Sequence, residues 1–189
     1  MMLIPAKTLD DWTGFPPDIA SLLATNDLTS GAAPLLAIPG HQVPLAGGAR
    51  GSRLDLWVLA RTPRGLLSVA IELNAGQSPG LTVGQSEAET PTGRERREAL
   101  WSLLEIDRDG DPTVPDRLIH RTASALLEAR RFFAIGAAVI VHSAGAAQDS
   151  FADFQRFVTM MGGRLRRPGH LMSVKPREGI ELALGWTQA

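Results

Sequence analysis

Two carboxylates, Asp55 and Glu72, occur where a single β-hairpin would place them opposite each other. The segments Arg53–Arg61 and Leu66–Asn74 have the composition of strands, and Thr62–Gly65 between them has Pro at the second position of a tight turn and Gly at its end. Pairing the residues that flank this turn and counting outward pairs the two acids. Opposed Cβ atoms lie about 5 Å apart, so two such like charges need a cation or a proton between them. This pair is the predicted functional site.

The two predicted strands are apolar on nearly both faces, which is typical of the middle of a covered sheet. By alternation, Asp55 shares its face with Trp57, and Glu72 shares its face with Asn74. A carboxylate at the end of such a strand is either a cap in solvent or a ligand in a cleft. The opposed pair leaves both alternatives open.

A resemblance to a known superfamily adds to this interpretation. An Asp on one strand and Glu-x-Lys on the next form the motif of PD-(D/E)xK, or restriction-endonuclease-like, nucleases, and this chain resembles them with Asp55 and Glu72-Leu73-Asn74. The chain is also similar, from about Gly14 to about Phe157, to a bacterial family of unknown function. That similarity rests on segments in the same order: Gly14–Asp18, Leu36–Pro39, Asp55–Ala60, His120–Ala125 and Val141–Ser143.

Two charged positions of that family's pattern are amides in this chain. The pattern has Glu-Gly-Lys on the second strand and a Glu three residues after the Lys, where this chain has Asn74 and Gln77. The resemblance implies that Asp55 and Glu72 hold Mg²⁺ or Mn²⁺, hard cations that favour oxygen ligands, with Asn74 and Gln77 completing the catalytic set. The missing Lys would have stabilised charge developing on a phosphate. We therefore expect weak catalysis or none.

Basic residues on two other segments are candidates for phosphate contacts. One is a polar stripe on the predicted helix 115–133, which is either an exposed face with internal pairs such as Arg121–Glu128, or a face that puts His120 or Arg121 over the carboxylates. The other is Arg164–Arg167, which is flanked by glycines and a proline. There Arg166 and Arg167 either contact phosphate or belong to an exposed basic loop without such a role.

The patterning along the chain predicts an α/β domain with a central mixed sheet flanked by helices, and the length is that of one domain covering residues 1–189. Its order (helix, three strands, helix, strand) is the core order that the resemblance implies. A long polar loop over 75–93 is expected to be mobile or functional. Helices are predicted over 18–25, 94–105, 115–133 and 148–161, and strands over 34–38, the central hairpin, 137–141, 171–174 and 180–186.

Composition limits the remaining classes of function. The 189 residues include no Cys, which excludes disulfides and thiolate metal sites and favours a cytoplasmic location. The longest apolar stretch, Phe132–Val141, is too short to span a membrane. A net charge of −1 argues against a dedicated non-specific DNA-binding protein, although a neutral protein can carry a basic cleft.

Two functions from different classes remain. The first is a nuclease-fold protein with a degenerate metal-dependent phosphodiesterase site that acts as a binding or structural module, with nucleic acid or a second copy of the chain as partner. The second is an active, divergent Mg²⁺-dependent nuclease acting on DNA or RNA. The amides at Asn74 and Gln77 favour the first.

Overall fold

The computed structural model describes residues 14–45, 51–74, 80–85, 91–107, 110–143 and 148–188, with the backbone alone at 74, 148 and 149. Four helices lie in these ranges: α1 (Pro17–Leu23), α2 (Pro91–Leu104), α3 (Asp116–Arg131) and α4 (Gln148–Met160). The strands are β1 (Ala33–Pro39), β2 (Gln42–Val43), β3 (Ser52–Arg53), β4 (Leu56–Thr62), β5 (Gly65–Asn74), β6 (Gly136–Ser143), β7 (His170–Arg177) and β8 (Ile180–Gln188).

Six strands form one mixed sheet in the order β1-β4-β5-β6-β8-β7, and β2 pairs with β3 in a separate ribbon. Strands β1, β4 and β5 are antiparallel neighbours, whereas β5, β6 and β8 run parallel. A parallel pair needs a crossover connection, and the chain from β5 to β6 supplies it with α2 and α3. The predicted fold class and the order helix, three strands, helix, strand are confirmed.

Both faces of the sheet are covered, as the apolar strands predict. Helix α1 covers one face, where Ile19 and Leu22 belong to a core cluster with Val58 and Val69. The other helices cover the second face, whose core cluster includes these side chains: Trp57, Leu104, Leu126, Val139, Phe154 and Phe157. Asp55 and Glu72 lie at the same end of the β4–β5 hairpin, and Glu72 contacts α3.

The hairpin of β4 and β5 has the predicted register, with Arg61 opposite Leu66. Gly65 has φ +148°, and a Cβ there would lie 2.9 Å from Ile135, so this position of the turn requires glycine. The indole Nε1 of Trp57 donates to Ser68 Oγ at 3.0 Å, which confirms that these two residues share a face.

The first strand of the hairpin is shorter than predicted. It begins at Leu56, whose partner is Ile71, so the ladder ends one step before Asp55. The physical reason is a competing set of hydrogen bonds, because the Leu54 N–H donates to the His41 carbonyl at 2.8 Å and the Leu73 N–H donates to Asp55 Oδ2 at 2.9 Å. The segment between the predicted strand 34–38 and the predicted hairpin contains the short strand β2 and the start of β3.

Most other predicted elements are confirmed with bounds that differ by a few residues. Phe133, the last residue of the predicted helix 115–133, lies outside the helix and is 91% exposed. Helix α3 ends at Arg131, and Phe133 has φ +53°, a left-handed conformation that cannot continue a right-handed helix. Of the predicted loop 75–93, residues 80–85 are described as loop, and α2 already begins at Pro91.

Candidate functional site

Glu72 is a buried carboxylate that two arginines of α3 neutralise. The Nε of Arg121 donates to Glu72 Oε2 at 2.6 Å, and Nη1 of Arg117 lies 3.8 Å from Oε1. The Glu72 side chain is 6% exposed. Burying an unpaired carboxylate costs several kcal/mol, so these guanidinium groups supply the cation that the sequence requires at this position.

The secondary structure explains why these three side chains meet. Arg117 and Arg121 are four residues apart and therefore lie on the same side of α3, and Glu72 lies on the face of β5 that α3 covers. Arg121 also donates from Nη1 to the hydroxyl of Ser52 in β3 at 3.2 Å. With acceptors on two strands, its guanidinium group has a fixed orientation.

Asp55 has a different partner. Its Oδ2 accepts a hydrogen bond from the backbone N–H of Leu73 at 2.9 Å. The residue is half-buried and lies just before β4. The two acids are therefore at the same end of the hairpin, and each is satisfied separately, one by the main chain and the other by arginine.

A cavity of about 320 Å³ opens beside this end of α3. Its wall includes Arg53 of β3 and Leu81 from the segment 80–85. The rest comes mainly from the first turns of α3, with Asp116, Arg117, His120 and Arg121. Guanidinium groups bind carboxylate and phosphate oxygens in a planar, forked geometry, so the wall has the chemistry of an anion site.

Three guanidinium groups at the cavity face two carboxylates. Besides Glu72 there is Asp116, whose Oδ2 lies 3.2 Å from Nε2 of His120 one turn along α3. Arg53 is exposed and has no ion-pair partner among the described residues. The Nε of Arg117 is buried and has no acceptor among the described residues. The described residues that line the cavity, together with Glu72 behind them, therefore carry an excess of positive charge.

Comparison with family models assigns the chain to a protein family. A model described as "Domain of unknown function (DUF6946)" matches residues 5–189. The chain belongs to this family. No curated protein and no solved structure matches it. The DUF6946 assignment carries no activity with it, and the resemblance to restriction-endonuclease-like nucleases stays a prediction.

The predicted site residues of this DUF6946 chain are only partly brought together. His120 and Arg121 lie at the cavity with Glu72 beneath them. The backbone of Asn74 ends β5 opposite Ser143 of β6, its side chain is outside the described part of the chain, and so is the whole of Gln77.

The second basic cluster lies elsewhere. Arg166 and Arg167 are exposed between α4 and β7, and Nε of Arg167 donates to Nε2 of His170 at 2.8 Å. Neither lines the cavity beside α3. A phosphate contact in this loop stays a prediction.

Sequence reasoning missed Arg53 as a site residue. Its position depends on the two-residue strands β2 and β3, which are too short to give a periodic signal. Its guanidinium group packs over Gly40, where φ is +64° and a Cβ would come within 3.0 Å of Arg53 Nη2. A glycine at this position is the one local sign that something approaches the backbone closely.

The donor set around Glu72 does not fit a divalent ion in this arrangement. Both of its oxygens face guanidinium groups. In the described ranges, no three His, Asp or Glu side chains converge as metal ligands do. Because Gln77 and the Asn74 side chain lie outside those ranges, the Mg²⁺ or Mn²⁺ site stays a prediction.

The interpretation of the α3 stripe as an exposed face is wrong. Ser124 and Glu128 are fully buried. Glu128 Oε2 lies 3.5 Å from Nε2 of His41, and Oε1 lies 3.1 Å from Nη1 of Arg131, but neither oxygen accepts a hydrogen bond. The His41 ring stacks on Trp57 with a centroid separation of 4.8 Å. The polar stripe thus faces the sheet along its length.

None of the helices in the described ranges has the length and apolar character needed to cross a membrane. The four helices belong to the layers that cover the sheet, and their buried residues are those that contact it or one another.

Proposed function

We propose that this chain is a nucleic-acid-binding module with a restriction-endonuclease-like fold and a degenerate catalytic site. The observation that carries the proposal is the engagement of Glu72 by Arg121 and Arg117. An acid that would serve as a metal ligand in a nuclease is used here to hold two arginines in place. The same arginines line an open cavity, so the site suits an anion better than a cation.

The excess of positive charge at the cavity supports a phosphate-bearing ligand. Nucleic acids release bound counterions when guanidinium groups neutralise their phosphates. The free energy of this release supplies most of the non-specific affinity of a protein for nucleic acid. The chain as a whole has a net charge of −1, so binding would depend on this local site. We expect moderate affinity that weakens steeply as salt is added.

The loss of cleavage follows from Asn74. The bacterial family that the chain resembles carries a Lys at this position. The Asn74 amide has no charge with which to stabilise a phosphorane. Removing one such group typically lowers the rate by about 10²–10³-fold. Together with the guanidinium groups on Glu72, this substitution favours a binding role.

The first experiment measures binding to single- and double-stranded DNA and RNA by fluorescence anisotropy in EDTA over a range of salt concentrations. Arg117→Gln should weaken binding and reduce the slope of log K against log salt by about one, because one phosphate contact is lost. The matched control is Arg61→Gln. Arg61 is exposed and lies in the β4–β5 hairpin at the end opposite Glu72. Absence of binding, or equal effects of the two substitutions, contradicts the proposal.

One observation favours the alternative of an active nuclease. The Asp55 carboxylate contacts the N–H of Leu73, the residue after Glu72, so both acids are at the same end of the hairpin. In a cleavage assay with Mg²⁺ or Mn²⁺ we expect little or no product from the wild type. Cleavage that disappears in Glu72→Gln would establish the alternative. Asn74→Lys combined with Gln77→Glu tests whether the lost groups account for inactivity.

A further inference from the structure

We infer that the cavity beside α3 binds a phosphomonoester, with Arg53 and Arg117 as the groups that contact it. The inference rests on the proposed function and specifies which phosphate the site recognises. Two sources share this chemistry: the terminal phosphate of a nucleic-acid strand and the phosphate of a free nucleotide.

The three arginines of the cavity differ in how many of their donors are already hydrogen-bonded. Arg121 is committed, because its Nε is bonded to Glu72 and its Nη1 to Ser52. Arg117 makes only a 3.8 Å contact to Glu72, and its buried Nε has no acceptor. Arg53 has no ion-pair partner among the described residues. Arg121 is therefore a positioning residue, and the other two have donors to offer.

An unmet buried donor is a reason to expect a ligand. A buried N–H without an acceptor costs free energy that an anionic oxygen would recover. Arg117 has such a donor in its Nε, while its side chain as a whole is 23% exposed and lines the open cavity. A phosphate oxygen would reach this buried Nε after a shift of the Arg117 side chain, and that shift breaks no hydrogen bond among the described residues.

The number of oxygens favours a monoester over an internal diester. At neutral pH a phosphomonoester has three free oxygens and a charge of about −1.5 to −2. It can accept from Arg53 and Arg117 at once, and forked guanidinium–phosphate contacts are among the strong hydrogen bonds of proteins. An internal diester has two free oxygens and a single charge.

The size and the apolar wall of the cavity suit a phosphate joined to one sugar or ring. A volume of about 320 Å³ is near the lower end of the range for small-molecule sites, about 300–1,000 Å³. Leu81 lines the cavity and is 59% exposed, an unusual amount for a large apolar side chain. A ring attached to the phosphate would cover it.

The test compares four probes in EDTA by competition anisotropy: one oligonucleotide with a 5′-phosphate, the same strand with a 3′-phosphate, the unphosphorylated strand, and a nucleoside monophosphate. We expect a terminal phosphate to tighten binding about tenfold or more, as two charged hydrogen bonds would. The gain should be lost in Arg53→Gln and in Arg117→Gln and kept in Arg61→Gln. Because Arg53 is exposed, its substitution should leave the fold intact, which thermal unfolding checks.

Each result decides between the inference and the function on which it rests. Equal binding of phosphorylated and unphosphorylated strands overturns the phosphomonoester site and leaves nucleic-acid binding standing. A gain that survives in Arg53→Gln and in Arg117→Gln overturns the assignment of these residues. Binding of the monophosphate but of no strand supports the site and contradicts the nucleic-acid role. Binding of no probe contradicts both.

Discussion

Helix α3 buries a carboxylate at each of its ends, and the two carboxylates differ in their partners and in their access to solvent. Near its start, Glu72 of β5 accepts from Arg121 at 2.6 Å beside an open cavity. Near its end, Glu128 is fully buried, 3.5 Å from His41, and accepts no hydrogen bond. The first arrangement is a satisfied ion pair with further donors open to a ligand. The second is a buried carboxylate close to His41 and Arg131 that forms no hydrogen bond with either.

The difference indicates which end of α3 has a binding role. Charged groups that only stabilise a fold need partners and no access, whereas a site needs groups that stay available after the internal pairs are made. Arg117 meets this condition, because its side chain is 23% exposed, lines the cavity and makes only a 3.8 Å contact to Glu72. At the other end, Glu128 has 1% of its side chain exposed. No ligand reaches it without a change in the fold.

The largest expected effect is that of Arg121→Leu, which leaves Glu72 buried with only the distant Arg117. Breaking one partner of a buried pair typically costs about 3–5 kcal/mol of the free energy of unfolding, and urea denaturation measures it. Combining the substitution with Glu72→Leu should recover most of that loss, since the unpaired charge is then absent. A loss below about 1 kcal/mol, the range of a surface pair, would show that Glu72 does not depend on this arginine.

A much smaller effect is expected for Glu128→Gln at the other end. Its carboxylate accepts no hydrogen bond, and Arg131, with 54% of its side chain exposed, can be solvated without it. Removing one partner of a buried pair is costly chiefly because the other charge stays buried and unpaired. Arg131 would not be left buried, so we expect a change within about 1 kcal/mol or a gain. Urea denaturation of Glu128→Gln and of Glu72→Gln under the same conditions compares the two carboxylates directly. A loss as large as that of Arg121→Leu would make the two ends equivalent.

The sequence was sufficient for the sheet because the information there is local. The register of β4 and β5 follows from a Pro-Gly turn and an alternating pattern, and both are readable within about twenty residues. The burial of both sheet faces was equally predictable, since strands with apolar residues on both faces are typical of a covered sheet.

The site was less predictable because its contacts join distant segments. A polar stripe at helical spacing has the same pattern whether it faces water or another charged surface, so Glu128 gave no sign of burial. The β2–β3 ribbon, which places Arg53 and takes Asp55 out of the ladder, consists of two-residue strands without periodicity. That a cation faces Glu72 was predictable, and Arg121 was one of the side chains predicted to lie over it, but the structure was needed to show a guanidinium group bonded to this carboxylate.

The central claim is that the positive charge at Glu72 belongs to arginine and leaves no place for a divalent ion. Thermal unfolding of the wild type with and without millimolar Mn²⁺ tests it most directly, because an ion that binds the folded state raises the melting temperature. We predict no change. A saturable rise in the melting temperature that disappears in Glu72→Gln would contradict the account and identify Glu72 as a metal ligand.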